Sequence, residues 1–178
     1  MRKLKVTELK RIDVRQFKAS DKTPLTDDLY DVSSKYNVGS LLRTADSFRL
    51  EKIMLCGITA CPPHPEIHKT ALGAELSMEW KKCENTIEAV NKLHEEGYEV
   101  YALEQVEHSV PLQNFKVEHG KKYALILGNE VKGVSQEAVN ICDGAIEIPQ
   151  FGTKHSMNVS VSGGIAIWQI ASQLLKLQ

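Results

Sequence analysis

Of the four cysteines in this chain, Cys56, Cys61, Cys83 and Cys142, no two stand at CxxC spacing and no secretory leader precedes them. That pattern excludes a disulfide framework and is the usage expected of reduced thiols in the cytoplasm. The chain also lacks GxGxxG, GxxxxGK[ST] and GxSxG, so dinucleotide oxidoreductases, P-loop NTPases and serine hydrolases with a nucleophile elbow have no support. His155 precedes Ser156 directly, but no evident acid completes a triad. Net charge is nearly absent, −1 over 178 residues, which argues against a protein that coats nucleic acid nonspecifically. Formal charge is missing altogether from Ser156 to Leu175, yet that run holds four serines, two glutamines and an asparagine. A lipid-spanning helix rarely carries so many polar groups, so a buried helix is expected there and no membrane partner.

The charge that is present is unevenly placed. Residues 1–22 hold eight Lys or Arg against three Asp or Glu, a balance of +5 that leaves −6 for the remainder. A basic arm over residues 1–23 is expected, able to touch phosphates or simply solvated, followed by one domain over residues 24–178. A domain of this length buries roughly two thirds of its unfolded surface and needs no metal to hold it. Cys61, His64 and His68 lie close in sequence, but Pro63 and Pro65 flank the first histidine and no HExxH is formed. No metal site is therefore expected.

Apolar runs at Leu29–Val32, Glu51–Ile58, Met78–Lys82, Tyr98–Leu103, Tyr123–Leu127 and Ile146–Ile148 read as strands. Between them, Asn37 is placed to cap a helix carrying Val38, Leu41, Leu42, Ala45 and Phe48 at helical spacing. Thr86–Glu96 predicts a second helix closed by Gly97, and Ser135 predicts a cap for a third running to Ile141. Residues 105–121 read as a polar loop, and a last helix is expected from Ser156. Alternation of this kind implies an α/β fold, a single parallel sheet flanked by helices. On the first helix Ser40, Arg43 and Ser47 share a polar face next to a strand's carboxyl end, where open α/β sheets bind ligands.

Three segments carry the chemistry: NVGSLLRTADSF at 37–48, ALILGNEVKGVS at 124–135 and IEIPQFGTKHSMNVSVSGGIAIWQ at 146–169. The last reads strand, glycine-containing loop, helix, a junction that leaves backbone N–H groups free for a ligand. In order and separation the three resemble the motifs of the SpoU family of RNA 2′-O-ribose methyltransferases, in the SPOUT superfamily. The resemblance implies a C-terminal deep trefoil knot, a homodimer with sites near its interface, and S-adenosyl-L-methionine as cofactor. It places the cofactor at the loops of Leu103, Gly128, Ile148, Ser156 and Met157. It places Asn37 and Arg43 on the first motif, Glu130 on the second and Asn158 on the third as candidate catalytic residues. Arg43, always protonated, would act electrostatically on a substrate phosphate or the emerging alkoxide. The substrate it implies is RNA, tRNA ahead of rRNA. The alternative is an inactive RNA-binding or ribosome-assembly module with the same fold. Ser33-Ser34-Lys35-Tyr36 stands where many relatives have an asparagine- or proline-rich turn.

Overall fold

The strand β1, Thr23–Tyr30, runs through the middle of a seven-stranded sheet in the computed structural model, which describes residues 1–177. The sequence reading places a shorter strand here, Leu29–Val32. The structure corrects this. Pro24 sits where the pairing with β2, Leu50–Cys56, shifts register between Thr23 and Thr26, a place where its missing N–H costs no regular ladder bond. Asp27 and Asp28 then continue the strand with no solvent exposure at all. Alternation sends Asp27 to the same face as Leu25 and Leu29, and Asp28 to the other.

The remaining strands are β3 (Trp80–Cys83), β4 (Tyr98–Leu103), β5 (Val110–Pro111), β6 (Lys122–Leu127) and β7 (Gly144–Glu147). Their order is β3-β2-β1-β6-β4-β7-β5, and every pairing is parallel. β5, unforeseen within the polar stretch 105–121, is two residues that pair with Ile146 and Glu147 at the sheet edge. Strands buried on both faces need two covering layers. One face packs Leu25, Leu29, Leu125 and Leu127 under α2 (Lys35–Ser47), α3 (Pro65–Ala71) and α7 (Val159–Leu174). The other packs Met54, Val100, Ala124 and Ile126 under α5 (Thr86–Glu95) and α6 (Gln136–Ile141). Each fully buried Leu or Ile contributes about 1.5–3 kcal/mol. Close approach is built in at Gly163, where a Cβ would lie 2.7 Å from Leu41 and 2.8 Å from Leu127.

Helix ends follow the local chemistry. Asn85 caps α5 by accepting from Glu88 N (2.9 Å), Gly97 closes it at φ +82°, and Ser135 caps α6. α2 begins earlier than expected: its cap is Ser34, whose Oγ accepts from Asn37 N at 3.3 Å, so Asn37 lies inside the first turn with its amide free for other work. α7 begins later, capped by Asn158 rather than starting at Ser156. The basic segment 1–22 includes a short helix, α1 (Val14–Ala19), resting on α4 (Ala74–Ser77) through the buried ring of Phe17. Among the described residues no helix is long and apolar enough to cross a membrane.

Candidate active site at the carboxyl ends of the strands

The chain leaves β1 toward β2 on one side, while β6 connects to β7 on the other, so the order of connection reverses between β1 and β6. Open α/β sheets bind ligands in the crevice that such a reversal creates. To one side of that reversal, the loops after β4, β6 and β7 enclose a cleft of about 470 Å³. All five residues that the sequence assigned to a cofactor line it: Leu103, Gly128, Ile148, Ser156 and Met157. Glu130 lines it too, whereas Asn37, Arg43 and Asn158 are not among the lining residues.

The loop between Gly128 and Val134 is a tight hairpin fixed by its own polar groups. Asn129 N donates to Gly133 O (3.2 Å), Gly133 N returns a bond to Asn129 O (2.9 Å), and Asn129 Oδ1 accepts from Val131 N and Lys132 N, both 3.0 Å. Asn129 Nδ2 also donates to Asp31 O (2.7 Å), which ties the hairpin to the end of β1. A Cβ at Gly128 would lie 2.4 Å from Gly133 C and 2.5 Å from Val134 N, so the glycine is demanded by the hairpin backbone itself. Glu104 braces the far side, accepting from Val134 N (3.0 Å) and Gln105 N (2.8 Å).

This geometry aims Glu130 at the start of α2. Its carboxylate accepts from Ser33 N (3.0 Å), Ser33 Oγ (2.9 Å), Ser34 N (3.1 Å) and Asn37 Nδ2 (2.9 Å). Partial burial pushes the carboxyl up, but the bonds from the Ser33 N–H, Asn37 and the Ser34 N–H outweigh it and hold it at about 2. The chain of bonds continues, since Asn37 Oδ1 accepts from Asn158 Nδ2 (3.2 Å), and Asn158 Oδ1 caps α7 through Ser160 N (2.9 Å) and Val161 N (3.3 Å). Three motif residues far apart in sequence, Asn37, Glu130 and Asn158, thus form one network joining the start of α2, the hairpin after β6 and the start of α7. Glu130 is ionised across the physiological range and saturated with donors, so it serves as a brace and is unsuited to taking up a proton.

Arg43 stands apart. It is exposed on α2, and among the described residues its guanidinium forms no ion pair or side-chain hydrogen bond. Beside it α2 packs on α7, whose Val161, Ile165 and Trp168 face outward at roughly half exposure, Trp168 with its ring centroid 5.6 Å from that of Phe48. Sequence reasoning missed Ser33 and Ser34 as partners of Glu130, Asn129 as the hairpin's organiser and Glu147 in the cleft; Glu104, at the end of the strand beside Leu103, is placed by sequence at the start of the pocket but without its bracing role. The histidines weighed as metal ligands are otherwise engaged. His64 Nδ1 caps α3 by accepting from Glu66 N (3.2 Å), and His68 pairs with Glu75 (2.5 Å).

Comparison with known proteins agrees with this architecture. The model of the SpoU rRNA Methylase family matches residues 28–168. An uncharacterized tRNA/rRNA methyltransferase of Borreliella burgdorferi is 32% identical over 82% of this chain, which spans 63% of that protein. The tRNA (guanosine(18)-2′-O)-methyltransferase of Thermus thermophilus is 29% identical over 96% of the chain and 86% of its own length. A 23S rRNA (guanosine-2′-O-)-methyltransferase of Vibrio parahaemolyticus is 27% identical over 94% of the chain and 67% of its own length. In three dimensions the A. aeolicus TrmH/SpoU tRNA modifying enzyme superposes with a TM-score of 0.79 at 23% identity, covering 92% of this chain and 83% of that one. An AdoMet-bound rRNA methyltransferase from Sinorhizobium meliloti superposes with a TM-score of 0.77 at 24% identity, covering 86% and 59%. With its three motifs gathered at one end of a parallel sheet and the family model matched over most of its length, the chain belongs to the SpoU RNA methylase family.

Proposed function

We propose that the protein is an S-adenosyl-L-methionine-dependent methyltransferase acting in the cytoplasm on a ribose 2′-hydroxyl of RNA, with tRNA ahead of rRNA as substrate. The observation that carries this reading is that the five residues assigned to the cofactor from the motifs line one cleft, while Glu130 on its wall is hydrogen-bonded to Asn37 and through it to Asn158 behind that wall. The lining suits that cofactor. Leu103, Ile148 and Met157 are apolar surfaces for a flat base, and Glu104 and Glu147 give the cleft carboxylates for a ligand that carries positive charge. Bound there, S-adenosylmethionine supplies an electrophilic methyl group.

The chain's own residues then position and shield. The hairpin 128–134, held by Asn129 and Glu104, fixes the backbone against which a cofactor rests. The Glu130–Asn37–Asn158 network fixes the start of α2 and the start of α7 relative to that hairpin, so the polar wall is set before the substrate arrives. Arg43 is a cation with no partner among the described residues, available to a substrate phosphate or to negative charge growing on the ribose oxygen. A homodimer belongs to the same reading: a second copy on the α2/α7 face would cover Val161, Ile165 and Trp168 and set Arg43 at the boundary between protomers. So does the knot. Residues 148–158 have no regular secondary structure and are tied to the loop after β4 by Gln105 Nε2 donating to His155 O (2.8 Å).

Titration with S-adenosylmethionine by calorimetry, followed by single-turnover transfer of labelled methyl to bulk tRNA and to rRNA, tests the proposal. Saturable binding with transfer to one RNA class is expected. RNA binding without cofactor binding would replace the enzyme by an RNA-binding module of the same fold.

A further inference from the structure

The chain has four phenylalanines, and three of them, Phe17, Phe48 and Phe115, belong to the core or pack against it. The fourth, Phe151, is 96% exposed. It sits in the loop after β7, directly beside Gln150, a residue of the cleft wall. On the hairpin after β6, another cleft wall, Val131 is 91% exposed. Single exposed apolar residues are ordinary; a bare aromatic on one lip of the cleft and a bare aliphatic on another form a pattern. Together the same two loops carry two lysines, Lys132 and Lys154, against one acid, Glu130. Residues 149–157 hold Lys154 and no acid, and among the described residues Lys154 has no ion-pair partner. In an acidic remainder of the chain, a loop that joins an exposed ring to an unpaired ammonium matches a nucleotide, which has a flat π face and a phosphate.

We propose that the loop 149–157 is a nucleotide platform: Phe151 stacks on a base of the RNA at or beside the methylated nucleotide, and Lys154 meets a flanking phosphate. The inference rests on the proposed function and narrows its substrate class to nucleotides whose base is unpaired, because a base inside a duplex has no free face to stack. Stacking is insensitive to salt and phosphate contact is not, so the two roles separate experimentally.

The experiment uses the full chain and two probes, a labelled 12-nucleotide single-stranded RNA and the same strand annealed to its complement, with affinity read by anisotropy over a KCl series. Calorimetry with S-adenosylmethionine and sedimentation are run on every variant. Phe151→Ala is expected to weaken single-strand binding about tenfold or more with an unchanged salt slope, and Phe151→Trp to restore it. Lys154→Gln is expected to lower the salt slope by about 0.7. The duplex is expected to bind more weakly, with no effect of Phe151→Ala. Cofactor affinity and sedimentation are expected to stay as in the parent. If the parent binds RNA while Phe151→Ala binds single strands equally well, or if Phe151→Ala alters sedimentation instead, the platform is refuted and the proposed function stands. If the parent neither binds nor methylates RNA, both fall.

Discussion

Replacing Asp27 by Asn should make the protein more stable at neutral pH and leave it nearly unchanged at acid pH. Asp27 is fully buried in the central strand, and neither carboxylate oxygen has a hydrogen-bond partner. Desolvation, with the neighbouring Asp28 adding to it, raises its carboxyl from 3.8 to about 8. Folding therefore takes up a proton wherever the unfolded chain has lost it. The stability associated with Asp27 is fully present below the unfolded value near 4 and is lost progressively as pH rises toward about 8. Each pH unit inside that window costs about 1.4 kcal/mol, so between pH 5 and pH 7.5 the parent should lose about 3 kcal/mol through this group alone. Asn copies the neutral acid in size and stays neutral, so its variant should lack that slope. Glu130 works in the opposite sense: its carboxyl is held at about 2, and the stability it adds is lost only as pH falls from the ordinary carboxylate range toward that value. Urea unfolding of parent and Asp27→Asn at pH 5, 6, 7.5 and 8.5 isolates Asp27 together with its coupling to Asp28, because groups that do not interact with Asp27 cancel in the difference. Parallel stability curves across that range would refute the argument.

Other expectations are more local. Glu130→Gln removes the charge that four donors converge on; it should cost about 1–3 kcal/mol in urea unfolding and lower methyl transfer. Arg43→Ala should leave the urea midpoint within experimental error, since the side chain has no partner among the described residues, yet lower the methyl-transfer rate on the order of 100-fold in single-turnover assays with cofactor affinity retained. Arg43→Lys should rescue poorly, because an ammonium lacks the planar fork. Removing residues 1–12, which spares the buried Phe17, should flatten the salt dependence of RNA binding without changing cofactor affinity; an unchanged slope would leave the arm a solvated segment. Gly128→Val should lower cofactor affinity by displacing the 128–134 hairpin, visible as lost protection from amide exchange there.

The fold was legible where burial and periodicity coincide. β4, β6 and α5 could be read from alternation, caps and a closing glycine, because their neighbours ask for nothing unusual. β1 was truncated in that reading because Asp27 and Asp28 imitate a loop; burial in the strand pushes both carboxyls upward, an environment that composition does not announce. The loops after β4, β6 and β7 were legible through motif spacing, and their convergence on one cleft follows from parallel strands ending at the same edge. Asn37 was assigned a cap that belongs to Ser34, since two cap-competent residues lie three apart and only the backbone decides between them. Its freed amide is what lets Glu130 and Asn158 be joined. Arg43's separation from the cleft could not be read at all, because a helical face gives a direction and not a partner.

Nucleoside mass spectrometry tests the central claim most directly. RNA incubated with the protein and S-adenosylmethionine, then digested to nucleosides, should contain a new 2′-O-methylnucleoside that is absent when cofactor is omitted and strongly reduced with Arg43→Ala. Methyl groups found only on bases, or none above the control despite cofactor binding, would contradict the account.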